Sequence, residues 1–297
     1  VNYTKKIYYT LPNKNLLNRK EIKDKLILNN DNYEQIFYDD DECLQFIKKH
    51  YPFDVYLCYC QIIPGAFKAD FWRLCVLYKY GGIYIDLGLR IIGDLDNIIK
   101  DKELILVKDR YSFGIFNAFI CSIPKHPFIK YCIENLCYKI NRFDYGENPL
   151  DFSGPLFLQK MFDNWMFKDS IYFYFHDEDG NSIKSIDNNS IIYTKNDERL
   201  YKSKFYKNKI CLFRKQFIDS IGDKLECYHY DILWEKRIVF YNLYYGSWNK
   251  SAKNYYITNG YLFSKLKNNN NEWIETKIEL KPFQKYCNNN GKFIIEI

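Results

Sequence analysis

Short apolar runs alternate with helical stretches through the first half of the chain. Lys6-Ile7-Tyr8-Tyr9-Thr10-Leu11 predicts a first strand within residues 1–12, halted by Pro12, which has no N–H for a sheet ladder. Asn32-Tyr33-Glu34-Gln35-Ile36-Phe37-Tyr38 predicts a second strand, and Asp39-Asp40-Asp41 then supplies capping carboxylates for a helix over residues 42–50. From Ala66 to Tyr80, Phe67, Phe71, Leu74, Leu77 and Tyr78 recur at helical spacing. Gly81-Gly82 stands where a helix end accepts a left-handed residue, and Ile83-Tyr84-Ile85-Asp86-Leu87 follows as a short β-branched strand. Further units read as strands at 104–108 and 118–122, a helix over 128–140 and a turn at Ser153-Gly154-Pro155. This rhythm predicts an α/β layer. Strand-like pieces at 171–175 and 191–194 lie among acidic and Asn-rich turns. Near Gly246 the texture changes to short strands between Asn/Gly turns, which divides the chain into a domain over 1–245 and a β module over 246–297.

Composition narrows the classes. With 297 residues, 47% of them hydrophobic and 19% aromatic, the chain carries ample apolar surface for a large core and a smaller appendage, not disorder. No apolar run approaches the ~20 residues that span a bilayer. The 29 Tyr and 23 Phe accompany many Ile, Asn and Lys, all A/T-rich codons, so aromatic density does not argue for stacking on nucleic acid. A net charge of +6 without a basic block argues against a nucleic-acid partner as well. Ten cysteines form no C-x-x-C pair, and several sit in apolar patterns as buried thiols. With no apolar leader in VNYTKKIYYTLPNK, the expectation is a reduced, cytoplasmic compartment.

Chemistry concentrates in one stretch. Asp70 and Arg73 share a helix face, a spacing that by itself is satisfied by a solvated ion pair. Asp86, however, closes an apolar strand, and strand carboxyl ends are where open α/β sheets bind ligands. Two carboxylates and a guanidinium there suit vicinal hydroxyls and phosphate, the groups of a nucleotide sugar. His176-Asp177-Glu178-Asp179, followed by Gly180-Asn181, reads as a solvated turn ahead of a cation site.

The stretch containing Lys68, Asp70, Arg73, Tyr80, Gly81, Gly82, Tyr84 and Asp86 resembles the signature of the glycosyltransferase family 32 sugar transferases, mannosyltransferase-like enzymes with a D-x-D motif. Supporting segments are Tyr38-Asp39-Asp40-Asp41-Glu42, Asn117-Ala118-Phe119-Ile120 before His126-Pro127, Ser153-Gly154-Pro155, and His229 with Trp234, so the resemblance runs over about residues 5–240. It implies a GT-A, Rossmann-like fold, a UDP- or GDP-sugar donor, a glycan or other acceptor hydroxyl, Mn²⁺ or Mg²⁺, and retention of configuration. It also implies that Asp70 and Arg73 bind donor-sugar hydroxyls, that Asp86 touches ribose and sugar, and that His229 and Trp234 close over the diphosphate. Two features depart from the family. Gly88 replaces the second D-x-D carboxylate, leaving Arg90 as a substitute cation, a metal held by Asp86 and His229, or an inactive protein as alternatives. Tyr9 and Leu11 stand where the family has Gln and Trp, with Tyr8 or Tyr9 as replacement rings for the donor.

Residues 246–297 resemble one repeat of the cyanovirin-N homology lectins through Ser247, Trp248, Ser251, Leu262, Trp273, Thr276, Leu280, Asn290, Gly291 and Phe293. That pattern's two cysteines are Ala252 and Leu266 here, and its second repeat is missing. The resemblance therefore implies a half-module completed by a second copy in a homodimer. The rival expectation is a catalytically impaired transferase fold that binds carbohydrate.

Overall fold

The computed structural model describes residues 3–18, 32–87, 89–91, 94–109, 114–176, 182–185, 191–193, 210–212, 230–235, 237, 239–240, 248, 251–258, 261–279 and 285–296. The first strand, β1 (Lys6–Thr10), is followed by a 3-10 turn at Lys14–Asn18, β2 (Glu34–Tyr38), α1 (Asp40–His50), α2 (Phe53–Gln61), α3 (Gly65–Tyr80) and β3 (Gly82–Ile85). Next come β4 (Leu89–Ile91), α4 (Leu95–Ile99), β5 (Leu104–Lys108), β6 (Ile115–Ser122), α5 (Pro127–Asn141), α6 (Pro149–Phe152), α7 (Pro155–Asn164) and β7 (Ile171–His176). The described pieces β8 (Ser182–Ser185), β9 (Ile191–Tyr193), β10 (Ile210–Leu212) and α8 (Tyr230–Glu235) complete the large unit.

The strands join one mixed sheet in the order β2-β1-β3-β6-β5-β7-β8-β9-β10-β4. β1 runs parallel to both β2 and β3, and β5 runs parallel to β7, with β6 antiparallel between β3 and β5. The expected α/β class is therefore observed, with antiparallel strands inserted. Alternation along single strands fills both faces. In β5, Leu104 and Leu106 join the core under α2, α3 and α5, while Ile105 and Val107 join a second core with Leu95, Ile98 and Ile99 of α4. A strand buried on both sides has no polar face, which is why these segments read as continuous apolar runs.

Local signals set the element ends. Asp39 caps α1, accepting from the Glu42 N–H, while Glu42 returns a bond to the Asp39 N–H. Gly81 and Gly82 both have positive φ, 65° and 102°. A Cβ on Gly81 would lie 2.6 Å from Pro124, and one on Gly82 would lie 2.7 Å from the Lys6 carbonyl oxygen. Only glycines let α3 turn this tightly into a strand lying against β1.

The tail is a three-stranded antiparallel sheet, β11 (Ala252–Thr258), β12 (Tyr261–Lys267) and β13 (Trp273–Glu279), plus the hairpin β14 (Lys285–Asn289) and β15 (Lys292–Glu296). Leu262 and Leu266 on one face of β12 are fully buried beneath Trp248 and Tyr286, and the Trp248 and Phe293 rings meet edge-on at 5.5 Å. Asn288 donates to the Ser251 hydroxyl and to the Lys267 carbonyl, tying hairpin to sheet. Ala252 and Leu266 are direct cross-strand partners. Among the described residues, no helix is long and apolar enough to cross a membrane, and eight cysteines are free thiols.

Candidate active site

The parallel strands β1 and β3 end on the same edge of the sheet, and α3 lies across them. Asp70 and Arg73, one helical turn apart, point from α3 toward this edge, where Asp86 follows β3. Arg73 Nη2 lies 2.9 Å from Asp70 Oδ1 and 3.5 Å from Asp86 Oδ1. Its Nε donates to the Ala69 carbonyl and its Nη1 to the Asn117 carbonyl on β6. The guanidinium plane rests 4.3 Å from the Tyr84 ring centroid. Arg73 is thus almost wholly enclosed, and its donors face inward. Burial alone would lower its pKa, but Tyr84, Asp86 and Asp70 together hold it above its ordinary value, fully protonated.

Asp70 is 8% exposed. Its Oδ1 accepts from the Asn117 amide at 2.7 Å and its Oδ2 from the Ser153 hydroxyl at 2.8 Å. Burial pushes its carboxyl up to about 6, a rise that Arg73, Ser153 and Asn117 oppose and Asp86 reinforces. Asp86 is more open, with 44% of its side chain exposed. The Tyr84 hydroxyl donates to Asp86 Oδ1 at 2.8 Å and shares a 3.1 Å bond with Thr10 at the end of β1. Tyr84 stays a donor because burial pushes its hydroxyl well above the usual range.

A cavity of about 460 Å³ opens beside the end of β1 and the start of α3, and Asp70, Arg73 and Asp86 are not among its lining residues. Thr10 at the end of β1, Leu11 and Pro12 after it, Lys68 and Ala69 on α3, and Tyr230 and Leu233 on α8 are among its walls. α8 is brought there by the segment after it, where Val239 accepts from the Ile63 N–H and Phe240 bridges Ile62. The volume is in the range of small-molecule sites.

The sequence candidates are distributed as follows. Asp70, Arg73 and Asp86 converge. Tyr8 and Tyr9 do not reach the cavity: both are 1% exposed. They alternate into the two cores, Tyr9 stacking on Phe37 at 4.8 Å. The residues after them, Thr10 and Leu11, take that place. Trp234 is half-buried on α8, its indole N–H donating to the Tyr145 carbonyl at 2.7 Å and its ring 4.5 Å from Arg237. His229, Gly88 and residues 177–179 lie outside the described residues, and Arg90 is placed only as a backbone position on β4 opposite Cys211. Nothing local marks Asn117 and Ser153 as partners of Asp70, since they lie 47 and 83 residues away in sequence.

Among the described residues no group of three or more His, Cys, Asp or Glu is arranged for a metal ion. Asp86, with its open side chain, is the carboxylate at this edge able to contribute a ligand, and one carboxylate suits a cation whose remaining ligands come from substrate phosphates.

Residues 18–105, which contain Asp70, Arg73 and Asp86, match the family described as "Glycosyltransferase sugar-binding region containing DXD motif". That segment matches a glycosyltransferase family. Inositol phosphoceramide mannosyltransferase 1 of Schizosaccharomyces pombe is 31% identical over 134 residues, covering 44% of this chain and 40% of that protein. A mannosyl phosphorylinositol ceramide synthase of Saccharomyces cerevisiae is 32% identical over 139 residues, covering 45% of this chain and 36% of that protein. Rat lactosylceramide 4-alpha-galactosyltransferase is 28% identical over 97 residues, covering 33% and 24%. The chain thus spans two-fifths or less of the length of these relatives. Among solved structures, PaToxG glycosyltransferase superposes over 54% of this chain and 68% of its own, with 16% identity and a TM-score of 0.36.

Proposed function

We propose that residues 1–245 form a GT-A glycosyltransferase domain that transfers a sugar from a UDP- or GDP-sugar to an acceptor hydroxyl with retention of configuration. The observation that carries this reading is the convergence of Asp70, Arg73 and Asp86 at the strand ends, with the cavity walled by their chain neighbours Lys68 and Ala69 and by Thr10 and Leu11. The nucleoside lies along Thr10, Leu11 and Tyr230, and the sugar extends toward Asp70 and Asp86. Asp70 and Asp86 accept hydrogen bonds from donor hydroxyls. Arg73, enclosed and bonded to Asp70 and Asp86, orients the two carboxylates toward the donor. The acceptor hydroxyl attacks from the face that the diphosphate leaves, so the protein's task is to hold this geometry and exclude water. His229 and Trp234 are the proposed cover for the diphosphate. A divalent cation, Mn²⁺ or Mg²⁺, would be held by Asp86 and would neutralise charge on the leaving group.

Donor hydrolysis and thermal shift with UDP- and GDP-sugars, with and without Mn²⁺, test this on the wild type and Asp86→Ala. Turnover or stabilisation in the wild type that Asp86→Ala loses supports it. Binding without turnover supports the second reading, a carbohydrate-binding protein on an impaired transferase fold, which Gly88 in place of the second carboxylate favours. No response to any donor removes the transferase reading and leaves the second.

For residues 246–297 we propose a lectin-like half-module, supported by the Trp248–Phe293 contact and the Ala252–Leu266 register. Because its inner face is filled within the chain, a homodimer through it would use the outer face. Sedimentation equilibrium decides between monomer and dimer.

A further inference from the structure

Asp70 is gripped from two elements that are distant in sequence. Asn117 approaches its Oδ1 from β6, and Ser153 approaches its Oδ2 from the turn between α6 and α7. A carboxylate held at both oxygens by donors on different elements has its plane fixed, whereas one held only by Arg73 can rotate about its side-chain torsions. The two arms are joined by a contact away from the carboxylate. Gly114, three residues before Asn117, packs on Pro155, two residues after Ser153, so closely that a Cβ on Gly114 would fall 2.9 Å from Pro155 Cβ and 3.1 Å from its carbonyl carbon and oxygen. The backbone at Gly154 closes the same wall, its Cβ position lying 3.7 Å from Asp70 Oδ2.

We infer that Asn117 and Ser153 are positioning residues forming a two-sided clamp that aims the Asp70 carboxylate, and that the Gly114–Pro155 contact sets the opening of that clamp. Asp70 faces Arg73 on its own helix, Asp86 beyond β3, Asn117 on β6 and Ser153 on the turn, so two uncharged donors supply direction while Arg73 supplies charge. A methyl group at Gly114 forces the Gly114–Pro155 contact apart, which alters the spacing between the two arms without touching Asn117 or Ser153. Its effect on ligands rests on the proposed function, because only a donor sugar reads the aim of Asp70. The orientation of the carboxylate does not rest on it.

The test uses the full chain and four forms: wild type, Ser153→Ala, Ser153→Thr and Gly114→Ala. Crystal structures should show the Asp70 carboxylate rotated in Ser153→Ala and Gly114→Ala and unchanged in Ser153→Thr, which keeps the hydroxyl. Calorimetric titration with UDP-glucose and GDP-mannose, beside bare UDP and GDP, should show the first two variants losing about tenfold in affinity for the sugar-bearing ligand, with bare diphosphate binding within about twofold of wild type. Ser153→Thr should restore the sugar-bearing affinity. An unrotated Asp70 in Ser153→Ala overturns the clamp, and equal weakening toward sugar-bearing and bare diphosphates overturns its positioning role in favour of general damage. Wild type that binds none of these ligands overturns the proposed function, while the crystal structures still decide the clamp.

Discussion

Arg73 Nη2 lies 2.9 Å from Asp70 Oδ1, an i,i+3 pair whose side chains are only 5% and 11% exposed. On a helix surface such a pair contributes a few tenths of a kcal/mol. Enclosed, it is a different object, because removing one partner leaves an uncompensated charge. Arg73→Ala should destabilise the chain by about 3–5 kcal/mol in urea denaturation. Arg73→Lys keeps the charge but cannot reach Asp70, Asp86 and two carbonyls at once, so donor turnover should fall at least ~100-fold with a smaller loss of stability.

The Asp70 carboxyl, raised to about 6, makes a pH signature. A hydroxyl-accepting Asp70 must be ionised, so turnover should fall as pH drops through about 6. Stability runs the other way. The native state holds this proton up to about 6 and the unfolded chain releases it near 3.8, so Asp70 costs stability progressively as pH rises across that window, reaching roughly 3 kcal/mol above it. Asp70→Asn should abolish both signatures, as read by pH–rate profiles and by denaturation at pH 4 and 7.

Asp86 and Tyr84 separate function from stability. Asp86 is open to solvent, so Asp86→Asn should change Tm by no more than about 2 °C while removing most donor turnover. Tyr84→Phe deletes the hydroxyl that ties Asp86 to Thr10 and should cost about tenfold in kcat/KM. Equal effects of Tyr84→Phe in the Asp86→Asn background and alone would show that the tie is idle.

In the tail, the direct pairing of Ala252 with Leu266 predicts that Ala252→Cys with Leu266→Cys oxidises to a cross-strand disulfide within one chain. Peptide mapping under non-reducing conditions checks it. A free pair or an interchain bond would mean the register differs.

The sequence by itself determined several elements of the first half and marked Asp70, Arg73 and Asp86, while the helices α2, α4 and α7 went unread. Periodicity placed α3 and β3, the Asp39-Asp40-Asp41 run placed the start of α1, and Gly81-Gly82 placed the turn that carries Asp86 back beside Asp70, because each is a local signal written within a few residues. Tertiary structure decided the rest. Tyr8 and Tyr9 look like ligand platforms in one dimension, but a strand buried on both faces sends successive side chains into two cores, and it is Thr10 at its end, with Leu11 and Pro12 beyond, that lines the cavity. Arg73 is marked as a ligand contact by motif, and only the fold shows that its guanidinium is enclosed by β6 and β3 and bonded to Ala69, Asn117, Asp70 and Asp86. Asn117 and Ser153 become partners of Asp70 only when β6 and the turn before α7 converge, since a hydrogen bond between residues 47 or 83 positions apart leaves no trace in local spacing.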